Sequence, residues 1–216
     1  MQIRTQSAET RRGRVAVRTI GVLIGAAALI AFSGIGGRIM AATAAALGRA
    51  RPSTGSSVGT NGAQAIARSD FGEMPSLEGG LGWINSTPIT RESLRGKVTM
   101  VEIWTFACIN CLHALPHVKE TAERYREQGL VTIGVHTPEL EQERPRANVE
   151  AALKKLGVTF PVVLDNNYVI WKAFKNQYWP SVYLVDRKGR IRFHHDGEGQ
   201  YAELDEAVAL LLAEKP

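Results

Sequence analysis

The sequence predicts an α/β domain over residues 76–216, a sheet sandwiched between helices. Three observations predict it. Apolar runs of five to seven residues alternate with stretches of helical periodicity, the last two strands are joined by a short connection containing Gly, and an amphipathic helix closes the chain. In order, VTMVEIW (98–104) is an apolar run with one intruding Glu, the pattern of a strand buried on both faces. Residues 109–128 place Leu112, Leu115, Val118 and Ala122 at helical spacing before Gly129 stops the helix. LVTIGVH (130–136) is a second buried strand, residues 148–156 are helical up to Gly157, and PVVLD (161–165) is a short strand. A helix follows over 166–175. SVYLVD (181–186) and residues 191–196 flank Arg187-Lys188-Gly189 as a hairpin, and 201–213 form the last helix.

Charge and cysteine content exclude several classes. The chain has 216 residues, 44% hydrophobic and 22% charged, with a net charge of +5. Residues 1–75 hold nine Arg, no Lys and three acids, a net of +6, whereas 76–216 hold 17 basic and 18 acidic residues, a net of −1. A nucleic-acid binder carries its positive charge on the folded domain, so no nucleic-acid partner is expected. Two Cys exclude a disulfide-dense scaffold and a four-Cys zinc ribbon.

The basicity marks a membrane address. Residues 19–37 are 19 residues without a charge, and at about 1.5 Å per residue they match a hydrocarbon core of about 30 Å. Arg4, Arg11, Arg12, Arg14 and Arg18 precede this run. Arg clusters stay cytoplasmic, so 1–18 is expected inside and the domain outside, in the periplasm or its equivalent. Two readings of 19–40 stay open: an uncleaved single-pass anchor in the cytoplasmic membrane, or a signal segment cut near Ala42-Thr43-Ala44, leaving a soluble secreted or periplasmic protein. Residues 41–75, which include RPSTGSSVGTNGAQ, read as a flexible tether.

Chemistry concentrates at Cys108-Ile109-Asn110-Cys111. The first Cys follows a strand and the second falls in the first turn of a helix, whose amides and macrodipole favour a thiolate at Cys108. Such a dithiol can attack a partner disulfide, hold it as a mixed disulfide and resolve it. A purely structural disulfide over so short a loop gives little stabilisation. A zinc site lacks a second C-x-x-C, and haem attachment needs a His where Leu112 stands. Glu102 lies six residues before Cys108 in an apolar strand. It is either a buried carboxyl that takes the proton of Cys111 or a Glu paired with a Lys or Arg. Pro180 precedes a strand, where either a plain strand start or a cis Trp179-Pro180 bond fits. Trp179 and Phe106 are candidates for the rim of the site.

With C-x-x-C after a strand, a carboxylate six residues earlier and Pro before a late strand, the chain resembles the thioredoxin-fold family. More narrowly it resembles its TlpA/ResA-like branch and the thioredoxin-like domain of DipZ-type thiol-disulfide interchange proteins. The matching stretches span 82–118 and 165–201. The resemblance implies a thioredoxin-like fold and a redox-active Cys108–Cys111 disulfide with Cys108 attacking and Cys111 resolving. It implies Glu102 as the buried acid, and a cis Pro180 and Trp179 lining the substrate groove. It implies protein thiols and disulfides as substrates, no cofactor, and an insertion within 137–165. DipZ-type proteins also carry a multi-span electron-transporting domain, so a separate membrane electron donor is expected here. Ile109-Asn110 replace the Gly-Pro of thioredoxin, and Ala107 replaces its Trp.

Other features carry less. His113 and His117 are i, i+4 but lack a third ligand nearby, and no metal is expected. His194 and His195 alternate faces. Residues 139–146 read as a solvated charged segment. Two alternative functions remain: a thiol peroxidase, from Thr105-Phe106-Ala107-Cys108, although Val101 stands where peroxiredoxins have Pro, and a non-enzymatic copper-binding module built on the soft dithiol.

Overall fold

The structure, a computed structural model, describes residues 62, 65, 66 and 69–215. The expected cytoplasmic segment, the membrane or signal segment and most of the tether lie outside the described residues. Among the described residues, no helix is long and apolar enough to cross a membrane. The elements are β1 (Trp83–Ile84), β2 (Val98–Trp104), α1 (Ile109–Arg126), β3 (Leu130–His136), α2 (Arg146–Leu156), β4 (Val162–Leu164), α3 (Val169–Ala173), β5 (Ser181–Val185), β6 (Ile191–Asp196) and α4 (Tyr201–Ala213). One mixed sheet runs in the order β1-β4-β3-β2-β5-β6. Strands β2, β3 and β4 are mutually parallel, while β5, β6 and β1 pair antiparallel to their neighbours.

All seven residues of β2 are buried, which explains its largely apolar pattern and puts the intruding Glu102 in the core. Its side chains alternate between two cores. Met100 and Trp104 join Leu115, Val118, Val149, Leu153, Leu204 and Leu211, so α1, α2 and α4 cover one face. Val101 and Ile103 join Met74, Leu77, Ile170 and Phe174 on the other. Each of these fully buried apolar side chains contributes roughly 1.5–3 kcal/mol.

Three expectations shift. The helix expected over 166–175 shrinks to α3, because Asp165 accepts hydrogen bonds from the amides of Ile170 and Trp171 and sets its start. Helix α2 begins two residues before the expected position, at Arg146, just after Pro145. The packed domain also begins before residue 76. Phe71 and Ile191, Ile191 and Gly72, and Met74 and Gly189 share backbone hydrogen bonds of 2.8–2.9 Å along the outer edge of β6. Met74 is only 1% exposed. An unpaired strand edge and a gap in the second core recruit these last residues of the expected tether.

Candidate active site

Strand β2 runs out at Trp104, and a three-residue turn delivers Cys108 to the N-cap of α1. Its extended backbone turns the sulfur over the first helical turn, where the Cys111 amide donates to Cys108 Sγ at 3.5 Å. Cys108 is half-buried and Cys111 buried, and both are free thiols. Opposite stands the loop before β5. Trp179–Pro180 is cis, the sharper of the two readings. The Cys108 thiol lies 4.0 Å from the Trp179 carbonyl oxygen. Trp179 is half-buried, packs against Trp171 at a tilt of 37° with 4.1 Å between ring centroids, and donates its indole N–H to the Thr137 carbonyl at 3.0 Å. Phe106 is half-buried and stacks on His136. Exposed Ile109 and Tyr178 add apolar surface beside Cys108 and Trp179.

Glu102 is 3% exposed and faces the same core as Cys111. Its register neighbours are Gly134 on β3 and Val182 on β5, so neither strand brings it a cation. A Cβ at Gly134 would already sit 2.9 Å from Trp104 Nε1, so no longer side chain fits there. Of the two readings of Glu102, the one with a Lys or Arg partner on a neighbouring strand therefore fails. Burial pushes the Glu102 carboxyl up to about 8. Burial also drives the Cys111 thiol above its ordinary range, reinforced by its hydrogen bond to Cys108 and by the charge of Glu102. A small cavity lined by His117, His195 and Tyr201 reaches Glu102.

The solvated reading of 139–146 is wrong at one residue. Glu143 is fully buried. Its carboxylate accepts from the Ala107 amide at 2.9 Å, from the Glu139 and Leu140 amides at 2.7 Å each, and from the Thr105 hydroxyl. Burial would raise its pKa, but these four hydrogen bonds outweigh it and hold the carboxyl below its ordinary value. Because Thr105 gives its only proton to Glu143, it accepts from His136 Nε2 at 3.2 Å, and His136 Nδ1 carries the bare lone pair. Burial holds His136 down to about 4, so it is neutral at pH 7. Sequence reasoning missed Glu143 because its adjacent residues, Glu141, Gln142 and Arg144, are charged or polar. A Glu three residues after Leu140 has capping-box spacing, but Leu cannot complete the box.

The remaining candidates disperse. His113 pairs with Glu198, and His117 with Asp205. His194 stacks on Tyr183 and bonds Asp196. Among the described residues, no group of three His, Cys, Asp or Glu could hold a metal ion. Thr105 is fully buried with its hydroxyl committed to Glu143, so it offers no group to a peroxide at Cys108.

A sheet of this order, with a C-x-x-C at the head of a helix facing a cis-Pro loop, defines a thioredoxin-like protein. The family model described as Redoxin matches residues 83–211. The chain is 43% identical over 144 residues to the protein DipZ of Mycobacterium tuberculosis, covering 65% of this chain and 21% of DipZ. It is 32% identical over 142 residues to the thiol-disulfide oxidoreductase YkuV of Bacillus subtilis, covering 65% of this chain and 95% of YkuV. The solution structure of a thioredoxin-like protein in its oxidized form matches with a TM-score of 0.61 and 30% identity, covering 67% of this chain and 97% of that one. The chain belongs to the Redoxin family, and its domain is of the thioredoxin-like thiol-disulfide oxidoreductase class. It spans about one fifth of the length of DipZ.

Proposed function

We propose that this protein is a membrane-tethered, extracytoplasmic reductase of protein disulfides that works through the Cys108–Cys111 dithiol. The observation that carries the reading is Cys108 Sγ over the first turn of α1, bonded by the Cys111 amide and facing the Trp179–Pro180 loop, with buried Glu102 in the same core as Cys111. The Cys108 thiolate attacks one sulfur of a substrate disulfide. A mixed disulfide forms, and the other substrate sulfur leaves as a thiolate. Cys111 then gives its proton to Glu102 in its ionised form and attacks Cys108 Sγ. The Cys108–Cys111 disulfide forms, the second substrate sulfur leaves and takes up a proton, and two electrons have passed to the substrate. Burial makes Glu102 a stronger base than an ordinary carboxylate, which suits it to the reluctant thiol of Cys111. The cavity beside His117 and His195 offers the proton a way out. Half-buried Trp179 and Phe106 flank the groove in which a peptide would lie.

The charge-free run 19–37 behind five Arg supports the tether and an extracytoplasmic domain. The dithiol is re-reduced by a separate membrane electron donor. Cys111→Ser tests the scheme: cells expressing it accumulate mixed disulfides through Cys108, and an absence of trapped partners refutes it. A redox titration of the wild-type dithiol gives the direction. A potential near −270 mV fits the reductase, and one near −120 mV reverses it into an oxidant.

A further inference from the structure

Glu143 is a fully buried carboxylate beside the turn that leads to Cys108, and the exchange scheme leaves it without a task. Its four hydrogen-bond partners are three backbone amides and a hydroxyl, and none is a cation. A buried charge of this kind is a poor way to gain stability, since its desolvation consumes much of what its bonds return. What it does achieve is geometric. One carboxylate oxygen holds the turn at 105–107, and the other holds the amides of 139 and 140. The second of these segments is fixed in turn to the opposite wall of the site. Thr137 takes the Trp179 indole N–H on its carbonyl, donates its hydroxyl to Asp165 at 3.2 Å, and donates its amide to the Trp104 carbonyl at 3.0 Å. Tyr168 donates its hydroxyl to the Pro138 carbonyl.

We propose that Glu143 is a positioning residue: its carboxylate ties the turn that delivers Cys108 to the 137–140 segment, and so holds Cys108 in register with the Trp179–Pro180 wall. This rests on the exchange reading above. A misplacement of about 1 Å at a reacting atom costs on the order of a hundredfold in rate, so a clamp on the residue just before the nucleophile has leverage.

The test uses the reduced full chain in mild detergent, with Glu143→Gln, Glu143→Asp and Thr105→Val beside wild type. Gln keeps the shape but turns an NH2 toward N–H donors, so one half of the clamp is lost. Three quantities are read: the thermal midpoint, the rate of Cys108 alkylation by iodoacetamide with Cys111→Ser in the background, and kcat/KM for reduction of a disulfide-bonded peptide. Glu143→Gln is expected to unfold cooperatively, to lower kcat/KM about tenfold or more, and to change the alkylation rate severalfold. Glu143→Asp, which keeps the charge, recovers part of both. A Gln variant with a lower midpoint but with alkylation and exchange within twofold of wild type makes Glu143 merely structural and overturns the proposal. If Glu143→Gln does not fold, Thr105→Val decides by the same two rates, since it removes only one of the four bonds. Should wild type reduce no disulfide at all, the exchange reading has failed, and the alkylation rates still decide the clamp.

Discussion

Replacing Glu102 by Gln separates the energetic burden of this residue from its chemistry. The carboxyl sits at about 8 in the folded protein against 4.5 for an ordinary Glu. Between those pH values the folded chain holds a proton that the unfolded chain has released. Stability from the protonated group is therefore fully present below pH 4.5 and drains away as pH rises toward 8, by about 1.4 kcal/mol per pH unit. At pH 7 the burden is roughly 3 kcal/mol, on the order of a third of a typical domain's stability. Gln fills the same volume and does not ionise. Glu102→Gln is thus expected to match wild type near pH 4.5, to exceed it increasingly, and to gain about 2 kcal/mol on it between pH 6.5 and 8. Guanidinium unfolding of both reduced proteins across pH 4.5 to 8 measures this, and differencing removes every group the two proteins share. Cys111 stays protonated throughout, because burial drives it up. Resolution of the mixed disulfide slows in the same variant, so the more stable protein is the poorer exchanger. Stability curves that run parallel from pH 6.5 to 8 would show that Glu102 has found a partner or water, and the reasoning from its burial would be wrong.

Further outcomes follow from the same packing. In Glu102→Gln the buried neutral His136, held down to about 4, leaves stability falling as the pH drops from 6.5 toward 4; adding His136→Phe to that variant flattens the acid limb. Gly134→Ala pushes a methyl to 2.9 Å from Trp104 Nε1 and 3.1 Å from Phe160, and lowers stability by about 1–3 kcal/mol in denaturant unfolding; an unchanged midpoint would show that Trp104 can retreat. Asp165→Ala strips acceptors from the Ile170 and Trp171 amides and from Thr137, at a cost of about 1–3 kcal/mol. Because Trp171 packs against Trp179, the same substitution alters tryptophan fluorescence at the site, and a wild-type spectrum would disconnect α3 from the groove.

Much of this was legible in one dimension. The apolar runs 98–104 and 130–136 appear as strands with those same bounds, because burial on both faces keeps such a strand mostly apolar along its length. The two cysteines announced themselves by spacing, and Glu102 by being the one charge in such a run. What the sequence could not carry were relations between segments. Whether Glu102 had a counter-ion depended on which residue lies opposite it on β3, and register made that residue Gly134. Glu143 looked like one more solvated charge, because nothing in 139–146 reveals that the Ala107 amide and the Thr105 hydroxyl reach it from a distant segment. Asp165 looked like the end of a strand, yet it decides where α3 begins. Periodicity reports how a segment meets a core, and spacing reports groups within one turn of each other. A buried charge is decided by which donors the fold carries to it across thirty or more residues, and only the tertiary structure specifies that.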